Sequence, residues 1–310
     1  MRVVYLGTPD FSVLPLKYLI EKCASFVEIV GVVTNPDRPV GRKQILTACP
    51  VKKTAMEYGL KVFSYDKIRI EGVQDLLKLQ PDLMITCAFG QILSQEILSI
   101  AKYGVINIHA SLLPQYRGAS PIHYALKNGD TETGITIMKT DIGIDTGDIM
   151  FQEKLSIKSD ETCGELFERL SLLGAEAIVK AVNLIKDGKE KYTPQENIDG
   201  LILTKQVRKE DALIDFSKSA KSVVNLVRAY NPSPVAFTFL NDQPLKIYRA
   251  KESNGVGEPG TVINVDGCLE IACGTGSVKI LQLQKAGGKP LAIKDFLLGN
   301  KLEIGSRLGK

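Results

Sequence analysis

Short apolar runs alternate with helical patterns through the first half of the chain. Runs rich in Val, Ile and Leu at 2–7, 28–34, 61–64, 82–90 and 104–110 predict strands. Between them, apolar positions spaced by three and four residues predict helices over 12–23, 50–59, 71–80 and 94–102. Pro15 falls in the opening turn of the first helix, where a missing N–H costs little. Strands that alternate with helices build a parallel sheet, so this half reads as an α/β, Rossmann-like doubly wound domain. Residues 134–140 and 148–157 predict a hairpin appended to it. A long amphipathic helix follows over 161–188, with Asp160 as the expected N-cap and Gly188 as the stop.

After residue 188 the pattern changes. Residues 189–207 contain Pro194 and Gly200 and sustain no period, which reads as a linker. One helix over 219–230 then precedes short strands at 244–251, 260–266, 268–274 and 276–284, separated by turn residues. Such spacing suits a small, OB-like β-barrel. The expected domains are therefore 1–188 and 208–310.

Composition narrows the class. The 310 residues are 44% hydrophobic and 24% charged, enough apolar material for a real core. Six cysteines at 23, 49, 87, 163, 268 and 273 form no C-x-x-C pair and have no histidine nearby. Neither a disulfide framework nor a zinc site is expected from that spacing, which fits a reducing, cytoplasmic compartment. The apolar run before Gly7 is too short for a signal peptide, and no uncharged stretch, Leu83–Gln95 included, is long enough to span a bilayer, so no membrane partner is expected. Net charge is +4, unevenly spread. Residues 208–310 carry 15 Lys and Arg against 10 Asp and Glu; residues 1–207 carry 24 against 25. A basic last third is compatible with a polyanionic partner and equally with an ordinary basic domain.

Both histidines of the chain, His109 and His123, fall within "NIHASLLPQYRGASPIH" at 107–123. On a strand, Val105, Asn107 and His109 share one face, so Asn107 and His109 point together toward the carboxyl end, where open α/β sheets bind ligands. Several familiar chemistries are absent. "YLGTPDF" after the first strand is neither G-x-G-x-x-G nor a phosphate-binding P-loop. "DTG" at 145–147 occurs once, whereas aspartic proteases need two carboxylates together. Asp141, Asp145 and Asp148 lack the spacing of a calcium loop, and no metal is expected.

The run Asn107-Ile108-His109-Ala110-Ser111-Leu112-Leu113-Pro114 continues through "QYRGASPIHYAL" and is followed by "D-x-G-x-D-T-G" with Asp145, 36 residues after His109. This combination resembles the folate-dependent formyltransferases. Segments such as "LGTPDFSVLPLKYL", "PDLMITCAFGQIL" and "LQLQKAGGKP" extend the resemblance over nearly the whole chain. It implies transfer of a formyl group from 10-formyltetrahydrofolate to an amine, without metal or covalent enzyme intermediate. Asn107 would donate to the developing oxyanion, a contact typically worth ~3–4 kcal/mol. His109 would supply a proton to the oxyanion or the departing folate nitrogen, and Asp145 would orient His109 and accept the amine proton through water. Ser111, Leu112, Leu113 and Pro114 resemble a segment lining the folate site, and Phe89, Gly90, Gln91, Ile92 and Asp141 would bound its pterin. His123 has no part in this pattern and reads as structural; Arg117 reads either as structural or as a loop anchor.

The acceptor rests on charge. The connection from Arg38 to Lys53 contains Arg38, Arg42, Lys43, Lys52 and Lys53 and no acid, which suits a flexible loop against phosphates. The resemblance implies initiator methionyl-tRNA, with Arg38, Arg42 and Lys43 as contacts and the basic 208–310 domain assisting. The chain departs from the usual G-R-G-K-K here, with Gly41-Arg42-Lys43-Gln44-Ile45, and it has no tryptophan. An amino-sugar nucleotide is the main rival acceptor. A purine-pathway formyltransferase would be one domain with a different first loop, and a non-catalytic RNA-binding protein would not need Asn107, His109 and Asp145 together. A monomer is expected.

Overall fold

Seven strands order the first part of the structure, a computed structural model that describes residues 1–41, 43–196 and 198–309. They are β1 (Arg2–Gly7), β2 (Glu28–Thr34), β3 (Val62–Ser64), β4 (Leu83–Cys87), β5 (Val105–His109), β6 (Glu132–Lys139) and β7 (Ile149–Ser156). Their order across the sheet is β7-β6-β5-β4-β1-β2-β3. The five strands from β5 to β3 are parallel, as the alternation with helices predicts. β6 and β7 form the expected antiparallel hairpin, with β6 set against β5. β1 and β4 are buried on both faces, and for that reason they read as continuous apolar runs rather than as alternating ones. Strand order reverses beside β1, where the chain has crossed to β2 and β3 and returns to β4. The crevice at that reversal, outside the carboxyl ends of β1 and β4, is where such sheets take ligands. Gly7 ends β1 there, and a Cβ on it would meet Ser12 Cβ at 2.8 Å and the Cys87 carbonyl at 3.1 Å.

Most of the predicted helices form, over Val13–Lys22, Pro50–Glu57 and Val73–Leu79. The helix expected over 94–102 is shorter, only Gln95–Leu98. Its Ser94 cap accepts from Ile97 N–H at 3.4 Å, but Tyr103 N–H is committed to Asp82 O and Gly104 N–H to Ala101 O. The last expected turns are thus consumed in entering β5. The long helix spans Cys163–Lys186, and its cap is not Asp160. Thr162 and Glu165 form the capping box instead: Thr162 N–H donates to Glu165 Oε2 at 2.8 Å, and Glu165 N–H donates to Thr162 Oγ1 at 3.4 Å. The Thr162 amide and hydroxyl, with Arg249, hold the Glu165 carboxyl down at about 2.

The chain divides into two units interleaved in sequence. One comprises Met1–Gly118, Glu132–Ser156 and Phe167–Leu203; the other comprises Ala119–Thr131, Ile157–Leu166 and the chain from Thr204 onward. Residues 189–203 therefore group with the seven-stranded sheet, and Thr193 pairs with Ile149 through two backbone hydrogen bonds of 2.8 and 2.9 Å.

The second unit contains β8 (Ala236–Leu240), β9 (Gln243–Ser253), β10 (Val262–Asn264), β11 (Leu269–Ala272), β12 (Ser277–Lys285) and β13 (Leu291–Ala292). The order β8-β9-β12-β11-β10, with β13 on β12, is a curled antiparallel sheet. Its free edges are stitched together by the last residues: Leu308 bridges Leu240, and Arg307 bridges Thr261. That closure completes the expected barrel. The core holds Val223 and Val227 from the helix Ala220–Ala229, with Ile247, Ile271, Ile280, Phe296 and Leu308. β8 is absent from the sequence expectation, although a turn signal marks it. Asn241 and Asp242, both at positive φ, form the two-residue turn joining β8 to β9.

Candidate active site

β5 carries the site. It delivers Asn107 and His109 two residues apart at the carboxyl end, flanked by β4 on one side and β6 on the other. Asn107 lies in register with Thr86 of β4, whose hydroxyl donates to Asn107 Oδ1 at 2.9 Å. This bond fixes the amide so that Nδ2 faces away from β4, and Nδ2 reaches Asp145 Oδ1 at 3.4 Å. A second Nδ2 hydrogen remains for a ligand.

His109 is 6% exposed. Its Nε2 lies 3.0 Å from the Tyr116 carbonyl, which can only accept, so Nε2 carries a hydrogen. Its Nδ1 faces Asp145 Oδ2 at 3.5 Å, longer than the ~2.7–2.9 Å of a tight charge-assisted bond. Asp145 Oδ2 also accepts from Gly118 N–H at 2.8 Å. Asn107, His109 and Asp145 therefore converge, as the sequence predicts, with Asp145 touching both of the others.

Asp145 arrives on the loop Asp141–Gly147. It sits at φ 52°, in the left-handed region that Asp tolerates better than most residues. The loop is closed internally by Asp141 Oδ1, which accepts from Gly143 N–H at 3.0 Å and Thr146 Oγ1 at 2.8 Å. Gly147 ends it, where a Cβ would overlap the Lys139 carbonyl at 1.9 Å. Cys87, the thiol at the end of β4, is no nucleophile candidate, because burial pushes it up to about 12.

The residues expected at the folate site lie on two loops. Phe89 is buried in the core below the 88–93 loop, while Gly90 and Ile92 are exposed on it. The Gln91 side chain is fully used inside the protein: Nε2 donates to Asn35 Oδ1 and to the Tyr65 carbonyl, each at 2.7 Å, and Oε1 accepts from Ile68 N–H at 2.8 Å. Ser111 is equally committed, its hydroxyl donating to Gln115 O at 2.7 Å. Leu113 is buried, and its N–H is held by Thr136 Oγ1 at 3.1 Å, while Leu112 and Pro114 are half-buried. Gln152 Nε2 donates to both Leu113 O and Thr136 Oγ1, at 2.8 and 2.9 Å. The 111–114 turn is thus pinned from β6 and β7. Ile142 and Ile144, 73% and 67% exposed, add apolar surface on the Asp145 loop. A cavity of about 600 Å³ lies behind that loop, lined by residues including Leu98, Tyr103, Lys139, Asp141 and Tyr192.

The basic connection is more ordered than the flexible loop expected. Arg38–Val40 and Ile45–Thr47 pair as a two-stranded antiparallel ribbon, closed by Gln44 N–H on Gly41 O at 3.2 Å. Alternating side chains make this possible, and they leave Val40, Ile45 and Leu46 exposed. Arg38 and Lys43 are exposed, and Arg42 lies outside the described residues. Lys52 is not free, since Asp37 binds its ammonium at 2.8 and 2.9 Å.

Sequence reasoning missed Thr86, Gln195 and the Tyr116 carbonyl. Gln195 Nε2 donates to the carbonyls of Asp145 and Gly147 at 2.8 and 2.7 Å, and its Oε1 accepts from Arg117 Nε at 2.9 Å. Arg117 is therefore a loop anchor. Thr86 has a signal, a lone polar residue in an apolar central strand; Gln195 has none. Among the described residues, no three His, Cys, Asp or Glu come together to hold a metal ion, and no helix is long and apolar enough to cross a membrane.

Comparison with known families gives matches at both ends of the chain. Residues 1–182 match the Formyl transferase model, and residues 206–301 match the Formyl transferase, C-terminal domain model. The chain belongs to the formyl transferase family. Relatives named Methionyl-tRNA formyltransferase include those of Citrifermentans bemidjiense, 43% identical over 100% of this chain and 97% of theirs, and Geotalea daltonii, 44% identical over 100% and 98%. Among solved structures, an N-formyltransferase from Helicobacter canadensis, in complex with folinic acid and dTDP-3-aminofucose, superposes with TM-score 0.68 at 20% identity, covering 91% of this chain and 98% of that one. A Methionyl-tRNA formyltransferase from Clostridium thermocellum superposes with TM-score 0.57 at 17% identity, covering 82% and 95%. At such identities these two structures speak for the fold of a formyl transferase.

Proposed function

We propose that this chain transfers the formyl group of 10-formyltetrahydrofolate to the α-amino group of initiator methionyl-tRNA, in the cytoplasm. The meeting of Asn107, His109 and Asp145 at the end of β5 carries the reaction. The 43–44% identity to Methionyl-tRNA formyltransferases over the full length supports the acceptor. Folinic acid in complex with the Helicobacter canadensis relative supports a folate donor.

The amine nitrogen attacks the formyl carbon, the bond from that carbon to the folate nitrogen breaks, and the proton lost by the amine balances the one gained by tetrahydrofolate. Negative charge develops on the formyl oxygen in between. Asn107 is oriented for it, because Thr86 occupies Oδ1 and leaves one Nδ2 hydrogen to donate. Such a donor is typically worth ~3–4 kcal/mol in the transition state. His109 exchanges its proton on the Nδ1 side, because its Nε2 hydrogen is held by Tyr116. Asp145, facing Nδ1, orients the ring from that side and takes up the amine proton through water. The donor's planar heterocycle fits apolar surface from Ile92, Ile142 and Ile144, while the pinned turns at 89–92 and 111–114 present backbone groups to its polar edge.

For the acceptor, the ribbon bearing Arg38 and Lys43, with Arg42 beside it in sequence, offers positive charge and exposed aliphatic side chains to a nucleic-acid end. The basic stretch 208–310 adds a net +5, 15 less 10. The test is to supply purified protein with 10-formyltetrahydrofolate and, in parallel, methionyl-tRNA, glycinamide ribonucleotide and an amino-sugar nucleotide. Formylation of methionyl-tRNA alone is expected. Formylation of the sugar nucleotide with tRNA left unmodified overturns the proposal.

A further inference from the structure

The two nitrogens of His109 are held by different stretches of chain. Nε2 meets the Tyr116 carbonyl at 3.0 Å, and Nδ1 faces Asp145 at 3.5 Å. Neither stretch belongs to a strand of the seven-stranded sheet, and Asp145 sits at a positive φ that its own sequence does not enforce. One direct bond joins the two stretches, Gly118 N–H to Asp145 Oδ2 at 2.8 Å, and it uses the same carboxylate oxygen that faces His109. Gln195 lies between them, and each polar atom of its amide contacts one or the other. Nε2 donates to the Asp145 loop at residues 145 and 147, and Oε1 accepts from Arg117, beside Tyr116.

The segment that carries Gln195 is itself tied down. Thr193 pairs with Ile149 on β7. Farther along, Ile202 O accepts from Tyr116 N–H at 3.1 Å, and Ile202 N–H donates to Gln115 Oε1 at 3.0 Å. Thr193, Gln195 and Ile202 thus tie β7, the Asp145 loop and the 115–117 turn in succession. Its amide bridge closes a ring through Gln195, Asp145, His109, Tyr116 and Arg117.

We propose that Gln195 is a positioning residue for formyl transfer, acting on His109 through Asp145 on one side and Arg117–Tyr116 on the other. The inference rests on the reading that His109 and Asp145 carry the chemistry. Since a misplacement of about 1 Å can cost ~10²-fold in rate, loosening this brace should lower turnover without removing a group that touches substrate.

Gln195→Glu is the sharp variant, because it keeps size and the Arg117 contact but has no hydrogen to donate to the two carbonyls. Expected is a kcat lowered about 10- to 100-fold, with KM for the donor and for methionyl-tRNA within roughly threefold. In an Asp145→Asn background the same substitution should cost less than about threefold, because the group it positions is already disabled. The chain has two histidines, so a second readout is clean: in ¹⁵N-resolved NMR of the full-length protein, His109 ring-nitrogen signals should move while those of His123 stay. If Gln195→Glu does not fold, Gln195→Ala is read in the same way. Unchanged kcat, an equal loss in both backgrounds, or unmoved His109 signals each overturn the proposal. Should the parent protein fail to formylate methionyl-tRNA, the functional reading falls instead, and the NMR comparison alone decides the brace.

Discussion

His109 and His123 lie 14 residues apart in sequence and differ in what surrounds them. His109 ends the strand β5 with oxygen atoms facing both ring nitrogens, from Tyr116 and Asp145. His123 lies in the helix Pro121–Asn128, its ring 6.1 Å from that of Tyr230, and its Nδ1 is buried with no hydrogen-bond partner among the described residues. Burial pushes the His123 pKa down, offset in part by a backbone contact at Ser233. One imidazole is set between two oxygen atoms, the arrangement the proposed reaction uses, and the other is set into packing. Burial alone does not distinguish catalytic from structural histidine; the partners do.

Substitutions can break this contrast, and the largest effects belong to the His109 side. Asn107→Ala or Asp145→Ala should lower kcat by about 10²-fold or more while tRNA affinity stays within roughly twofold. Near-normal turnover in either would remove it from the reaction. Thr86→Val keeps shape but deletes the hydroxyl that orients Asn107; a net hydrogen bond of ~1 kcal/mol corresponds to about a fivefold lower kcat. If Thr86→Val raises KM for the donor instead, the hydroxyl binds substrate rather than orienting the amide. On the acceptor side, Arg42→Ala should reduce the salt dependence of tRNA binding by about one phosphate contact, with saturated turnover little changed. An unaltered slope excludes that contact.

The smallest effect concerns His123. Its folded pKa is lowered, so below about pH 6.5 the unfolded chain binds the proton first, and stability falls as pH drops toward the folded value. His123→Phe should flatten that slope between roughly pH 7 and 5, seen in unfolding midpoints. An identical slope in both proteins would mean that His123 is not the group responsible.

Much of this contrast is legible in the sequence, for reasons that also explain what is not. The parallel strands are apolar on both faces, and a strand period of two is enough to set Asn107 beside His109. Asp145 follows from the resemblance of its motif, not from any local pattern. Thr86 could be suspected as a polar residue in a central strand, but its partner depends on the register between β4 and β5, which no single strand encodes. Gln195 is invisible because its segment has no period; its contacts are made 78 residues back at Arg117 and 50 residues back at Asp145. Gln91 and Ser111 carry polar groups that look available in sequence and are consumed by partners inside the fold. The barrel's closure escapes for a related reason. Arg307 and Leu308 are two residues in a short stretch between glycines, yet they join both sheet edges.

The contrast between the two histidines is most directly tested by one measurement: the single-turnover rate of formyl transfer to saturating methionyl-tRNA for His109→Gln and His123→Gln, each against the parent protein. The predicted result is a loss of about 10²-fold or more for His109→Gln and a change of less than about twofold for His123→Gln. Equal losses, or an undiminished rate in His109→Gln, would contradict the division of roles between the two rings.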